Sequence, residues 1–200
     1  MFALTLSEQT QATPANVTYR SQGYKLDGLF GATANIERFI ALRTLDGSLS
    51  QALSTPNGLA LSESEALRIF GKVNAVGENL VHEHGQYTVR AVFADLADNT
   101  HFAFKSLAYF EHNPENLRAN HSYVYLKLAP NTDIQALAKT LTEQYFANDE
   151  SYQVSIELHS LRDLHLTAKS PFEMKTGGAK QVVVICAGLS VLLILIAGFN

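Results

Sequence analysis

The chain has no tryptophan, one cysteine and five prolines among 200 residues. Each shortage excludes something. With Cys186 alone, an intrachain disulfide is impossible, so the fold must rest on an apolar core. Aromatic burial falls to 8 Tyr and 11 Phe. No Lys/Arg cluster exists, and the net charge is −4, so no nucleic-acid partner is expected. The chain also lacks GxxxxGK[ST] and GxGxxG, two phosphate-cradling motifs, and the GxSxG nucleophile elbow. An enzyme is therefore not expected, and no catalytic, cofactor-binding or metal-ligating residue is assigned.

What the chain does have is a long apolar end. Val182–Phe199 is an uncharged run of 18 residues, VVVICAGLSVLLILIAGF. At helical rise this just reaches across a hydrocarbon core of about 30 Å. The other reading is a buried core helix, but the run has no polar face. Residues 181–200 are expected to begin a transmembrane helix, joined through Gly177–Gly178 to a folded domain spanning 1–180. More sequence is expected after Asn200, and a first membrane helix before the domain.

The domain reads as mixed α and β. To about Ile40 it shows short extended pieces, with Val17 and Tyr19, then Tyr24 and Leu26, alternating with polar residues. Asn35–Leu45 suggests a short helix. Ser54–Gly58 has turn chemistry. Ser62 and Glu65 form an S-x-x-E capping box, and Gly71 stands at the stop of that helix. A hairpin-like pair turns near His84–Gly85, and Tyr87, Val89, Ala91 and Phe93 alternate as a half-buried strand. Further on, Ser122–Leu128 reads as a strand with Val124, Leu126 and Leu128 on one face. Thr132 with Gln135 repeats the capping box. Ile134, Leu137, Ala138, Leu141 and Tyr145 make one helical stripe. Tyr152, Val154, Ile156 and Leu158 follow at period two, so 122–158 is expected to be a βαβ unit.

Few residues suggest chemistry. His82 and His84 flank Glu83 and would share a strand face, but zinc needs a third protein ligand. Asp163 and His165 could mimic an oriented base, with no activated nucleophile beside them. Asp95, Asp98 and Asn99 form an acidic loop without the EF-hand offsets, so turn chemistry accounts for them better than calcium. Asn16–Thr18 and Asn120–Ser122 match the short glycosylation pattern.

Leu59–Leu80, Tyr87–Phe110 and His121–Phe146, in this order and spacing, resemble the extracytoplasmic core domain of MacB/FtsX-type ABC transporter permeases. The first carries a strand, Ser-Glu, a short helix ending Phe70–Gly71, and the turn Val76–Gly77–Glu78. The second carries a strand and an Asp-Asn loop. In the third, YVYLKLAPNTDIQALAKTL is similar to the family's "tYv.L.pg.d" stretch. LRDLHLTA and an apolar helix ending IAGFN complete the likeness, which covers about 35–200. The resemblance implies an α+β, two-lobed domain on the periplasmic side of the bacterial inner membrane. A β-rich lobe would occupy about 42–110, and a porter-like layer would hold 122–158. It further implies an ABC ATPase subunit, separate or fused, that hydrolyses ATP in place of this chain. A periplasmic adaptor or a second permease copy would be a further partner. Lys169, Lys175 and Lys180 precede the apolar run and argue for the opposite side, but large domains translocate largely regardless of such charges. The alternative function is a ligand-sensing domain of a membrane receptor, and sequence after Asn200 would separate the two.

Overall fold

The computed structural model describes residues 2–8, 15–110, 122–145, 155–161, 174–175 and 180–199, with side chains of the last helix described over 184–198. The chain divides into two compact units, Met1–Ala129 and Pro130–Asn200.

In the first unit every described strand joins one ten-stranded mixed sheet. The strands are β1 (Phe2–Glu8), β2 (Asn16–Tyr19), β3 (Gln22–Lys25), β4 (Leu29–Ala32), β5 (Thr44–Gly47), β6 (Gly58–Ser62), β7 (Asn79–His82), β8 (Gly85–Phe93), β9 (Ser106–Tyr109) and β10 (Ser122–Lys127). Their order is β10-β1-β4-β9-β6-β8-β7-β2-β3, with β5 also on β8. The pairs β4–β9 and β6–β8 are parallel; the others are antiparallel. The strands of 42–110 are not a closed set, because β9 pairs with β4 and β7 with β2.

A parallel pair needs a crossover, and α2 (Glu63–Phe70) supplies part of it between β6 and β8. The capping expectation holds in its first half. Ser62 Oγ accepts the Glu65 N–H at 3.4 Å, and Gly71, at φ 69°, ends the helix in the left-handed conformation. The Glu65 carboxylate, however, turns to Arg68, accepting Nη2 at 2.6 Å and Nε at 2.9 Å. Glu65 is 2 % exposed, so this ion pair satisfies a buried charge. The inner face of α2 sends Ala66 and Ile69 into a core with Val17, Leu59, Leu61, Leu80 and Val89.

β8 departs from simple alternation. Its register against β6 slips at Arg90, so Leu59 faces Val89 and Ala60 faces Ala91. That bulge changes the parity of the strand. Tyr87 and Val89 face the α2 core, and after the bulge Val92 does too. Phe93 packs instead against Phe104, with ring centroids 6.0 Å apart. The half-buried strand expected over 87–93 is thus buried on both sides at its end. The bulged Arg90 carbonyl accepts the Ser48 N–H at 2.9 Å. Gly47, at φ 73°, lies so close that a Cβ would strike that carbonyl oxygen. Ser48 then caps α1 (Leu49–Ser54), its Oγ accepting the Gln51 N–H at 3.3 Å.

Two other local expectations shift. The helix expected over Asn35–Leu45 shrinks to a 3₁₀ turn, Ile36–Arg38, followed by β5. On β10 the face expected to be buried contains Val124, which is 55 % exposed. The opposite face packs: Tyr123 lies 6.2 Å from Phe30, and Tyr125 5.2 Å from Phe102. Aromatic area outweighs the aliphatic set here.

In the second unit, α3 (Ile134–Tyr145) is capped by Asp133. Its Oδ1 accepts the N–H groups of Gln135 and Ala136, both at 3.0 Å. Thr132 was expected in this role; a carboxylate one residue later is the better acceptor at a helix N-terminus. Along the expected stripe Ile134 is 51 % exposed, while Leu137 and Leu141 are half-buried. Residues 155–160 have no strand geometry, and 152–154 lie outside the described residues. The last helix, α4 (Lys180–Phe199), is 20 residues long, and its side chains over 184–198 are exposed. At 1.5 Å per residue the helix is about 30 Å long. Among the described residues no helix is long and apolar enough to cross a membrane.

Candidate functional site

The sheet opens where β2 meets β7. These strands share one registered pair, Thr18 with Val81, whereas β2–β3 and β7–β8 are each paired over four. Beside that pair lies an open groove of about 530 Å³. Asn16, Thr18 and Tyr24 line it from the β2–β3 hairpin; Val81, His82 and Glu83 line it from β7 and its turn. Val81 is 54 % exposed there.

Both hairpins beside the groove are tied down. The β2–β3 turn places Arg20 and Ser21 at φ 46° and 67°, matching the twist of a two-residue hairpin with non-glycine residues. The Arg20 guanidinium lies 5.0 Å from the centre of the Tyr19 ring. Tyr19 Oη donates to Glu78 Oε2 at 3.0 Å, and Lys72 Nζ donates to Glu78 Oε1 at 2.7 Å. These bonds, Lys72 first, hold the Glu78 carboxyl below its ordinary range. Arg68 reaches from α2 to the Lys25 carbonyl at 2.7 Å and lies over Tyr24. The groove walls are therefore braced by charge-assisted hydrogen bonds, not by sheet pairing alone.

At the other wall His82 ends β7 opposite Gly85, and Glu83–His84 form the turn. The His82 ring stacks on Tyr87 with centroids 4.5 Å apart. Its Nδ1 accepts the His84 N–H at 3.2 Å. Burial first, then His84, lowers the His82 pKa, and Glu83 opposes them. Burial also pushes the Tyr87 phenol up to about 12. Among the described residues no group of three His, Cys, Asp or Glu side chains could hold a metal ion. The shared strand face expected for His82 and His84 is replaced by a strand end and a turn, with ring centroids 6.5 Å apart.

The other candidate residues scatter. Asp95 accepts the Ser64 N–H at 3.2 Å and the Ser64 hydroxyl at 2.7 Å. Burial alone would raise its pKa; the Ser64 bonds, with Ser62 and Lys105, outweigh burial and lower it. Asp95 thus braces the start of α2, a role the acidic-loop reading missed; the cue was the unpaired N–H groups that every helix start carries. Asp98 and Asn99 lie in the exposed loop after it. Asn16 is exposed at the start of β2, and Cys186 is exposed on α4. Asp163, His165, Asn120, Lys169 and the 177–178 joint lie outside the described residues.

The arrangement is a braced sheet with a shallow groove. Three solved structures share this fold. A domain of a protein described as a permease, from Porphyromonas gingivalis, superposes with a TM-score of 0.61 at 18% identity, over 75% of this chain and 71% of that one. The periplasmic region of MacB from Actinobacillus actinomycetemcomitans gives 0.54 at 13% identity, over 74% and 66%. The extracellular domain of the noncanonic ABC-type transporter YknZ from Gram-positive bacteria gives 0.53 at 14% identity, over 78% and 80%. No family model matches the sequence, and no curated protein matches it. The fold is the α+β fold of MacB-type periplasmic domains, as the sequence resemblance implied.

Proposed function

We propose that this chain is the extracytoplasmic domain of an ABC transporter permease, coupling ATP-driven motion of membrane helices to a substrate or a periplasmic partner. One observation carries the reading beyond fold. A 20-residue helix, α4, exposes apolar side chains through 184–198, from Val184 at 62 % to Ile194 at 70 %. A water-facing helix needs a polar face, and this one has none. We assign 1–180 to the periplasmic domain, with a β-rich lobe at about 42–110; of the βαβ unit expected over 122–158, the strand β10 and the helix α3 are present. Residues 181–200 are the start of the span. ATP hydrolysis belongs to a partner ATPase. A periplasmic adaptor or a second permease copy would receive the motion.

The test lengthens the joint. In the complete transporter, a few Gly/Ser residues inserted within 176–180 should uncouple helix motion from the domain at little cost in stability. ATP hydrolysis continues while substrate movement or partner activation falls. Unchanged transport with the longer joint would show that the segment transmits nothing.

A further inference from the structure

The two hairpins beside the groove close their turns differently. The β2–β3 turn has two residues at positive φ, the geometry that suits strand twist. The β7–β8 turn, Glu83–His84, has neither residue at positive φ; its positive φ, 146°, falls on Gly85 after it. Beyond the His82–Gly85 strand pair, a side chain ties it: His82 Nδ1 accepts the His84 N–H at 3.2 Å.

That bond dictates protonation. An N–H can donate only to a ring nitrogen with a free lone pair, so Nδ1 is bare and the neutral ring carries its proton on Nε2. Nε2 is buried without a hydrogen-bond partner among the described residues, and the ring lies on Tyr87, which is 4 % exposed. A second proton can enter only at Nδ1. It would replace an acceptor by a donor facing the His84 N–H, and the bond must break.

We propose that the β7–β8 turn is a proton-operated latch, closed while His82 Nδ1 accepts the His84 N–H and opened when that nitrogen is protonated. The groups facing His82 fit this. On the turn, His84 repels a second positive charge when protonated, and Glu83 attracts one while lying 3.2 Å from His84 Nε2. On β8 stands Tyr87, neutral at physiological pH. From β2 and β3 the groove neighbours are Asn16, Thr18 and Tyr24, none of them a carboxylate, lysine or arginine. Burial lowers the folded pKa of His82. The latch is therefore fully closed above the ordinary histidine value and opens as pH falls through the lower, folded one.

The test uses the full 200-residue chain, ¹⁵N-labelled in detergent micelles, followed by long-range ¹H–¹⁵N ring spectra from pH 8 to pH 5. Neutral His82 should show the Nε2–H form and titrate below 6.5. Through the same midpoint, hydrogen-exchange protection of the His84 amide, relative to its intrinsic rate, should fall roughly three- to tenfold, the worth of one hydrogen bond. His82→Phe keeps a ring over Tyr87 and removes the acceptor, so its His84 amide should be weakly protected at every pH. An Nδ1–H tautomer would overturn the proposal. So would a His84 amide indifferent to the titration of His82, or a pH-dependent amide that survives in His82→Phe.

Discussion

The two units use the same apolar residues to opposite ends. In Met1–Ala129, Leu59, Leu61, Val89, Val92 and Leu107 are all 0 % exposed. In Pro130–Asn200, Ile134 is 51 % exposed, Leu193 66 % and Ile194 70 %. The first unit makes its own solvent-free interior, because strands distant in sequence meet and α2 covers them. The described helices of the second leave apolar surface that water does not favour. Composition alone does not separate them; arrangement does.

The sharpest way to break this contrast is to truncate one leucine on each side. Leu61→Ala empties a site in the sheet core and should cost about 2–5 kcal/mol. Leu193→Ala, at an exposed position, should leave unfolding of the sheet unit within about 0.5 kcal/mol. Thermal unfolding of the full chain in detergent, followed by circular dichroism at the β-sheet signal, measures both. Equal effects would mean that α4 contributes to the core of the first unit.

A smaller effect separates the helices of the two units. Asp133→Ala removes both side-chain bonds at the start of α3 and should cost about 1 kcal/mol of local helix stability. Amide exchange at Gln135 and Ala136 should rise while that of Glu65, capped by Ser62, stays unchanged. If all three move together, the two helices share one cooperative unit.

The smallest effect is electrostatic. The Asp95 carboxyl has a folded pKa below its ordinary 3.8, so it contributes stability above that value and loses it as pH falls through the folded one. Asp95→Asn should therefore be less stable than the parent at pH 7, by under about 1 kcal/mol given solvent screening. The gap should narrow between pH 7 and pH 3. Melting curves at the two pH values check it, and a gap that widens in acid would reverse the sign.

The sequence carried its local punctuation plainly. Ser62 and Gly71 bound α2 as their chemistry demands, and Asn57, at φ 59°, makes the turn before β6. Pairings between distant strands left no local mark. Nothing in Leu29–Ala32 announces a parallel partner at Ser106–Tyr109. The bulge at Arg90 was hidden because Tyr87, Val89, Ala91 and Phe93 alternate cleanly in sequence; only pairing to β6 shows the slip. On β10 both faces carry apolar residues, so periodicity could not choose between Val124 and the tyrosines. The His82 latch was half legible: the histidines drew notice, but a bond to a backbone N–H has no sequence pattern.

The pairing of β1 with β10 has a mechanical side. Phe2 faces Lys127 and Ser7 faces Ser122, so the early end of one strand lies beside the late end of the other. Tension applied at Phe2 and Lys127 would act across the strands, along their hydrogen bonds, which in antiparallel pairs run perpendicular to the chain. The bonds would then carry load one pair at a time, as a zipper does, rather than all together in shear. This makes the outer seam of the sheet weaker against pulling there than its six pairs would be in shear. A push and a pull arriving through the same two strands should be met very differently.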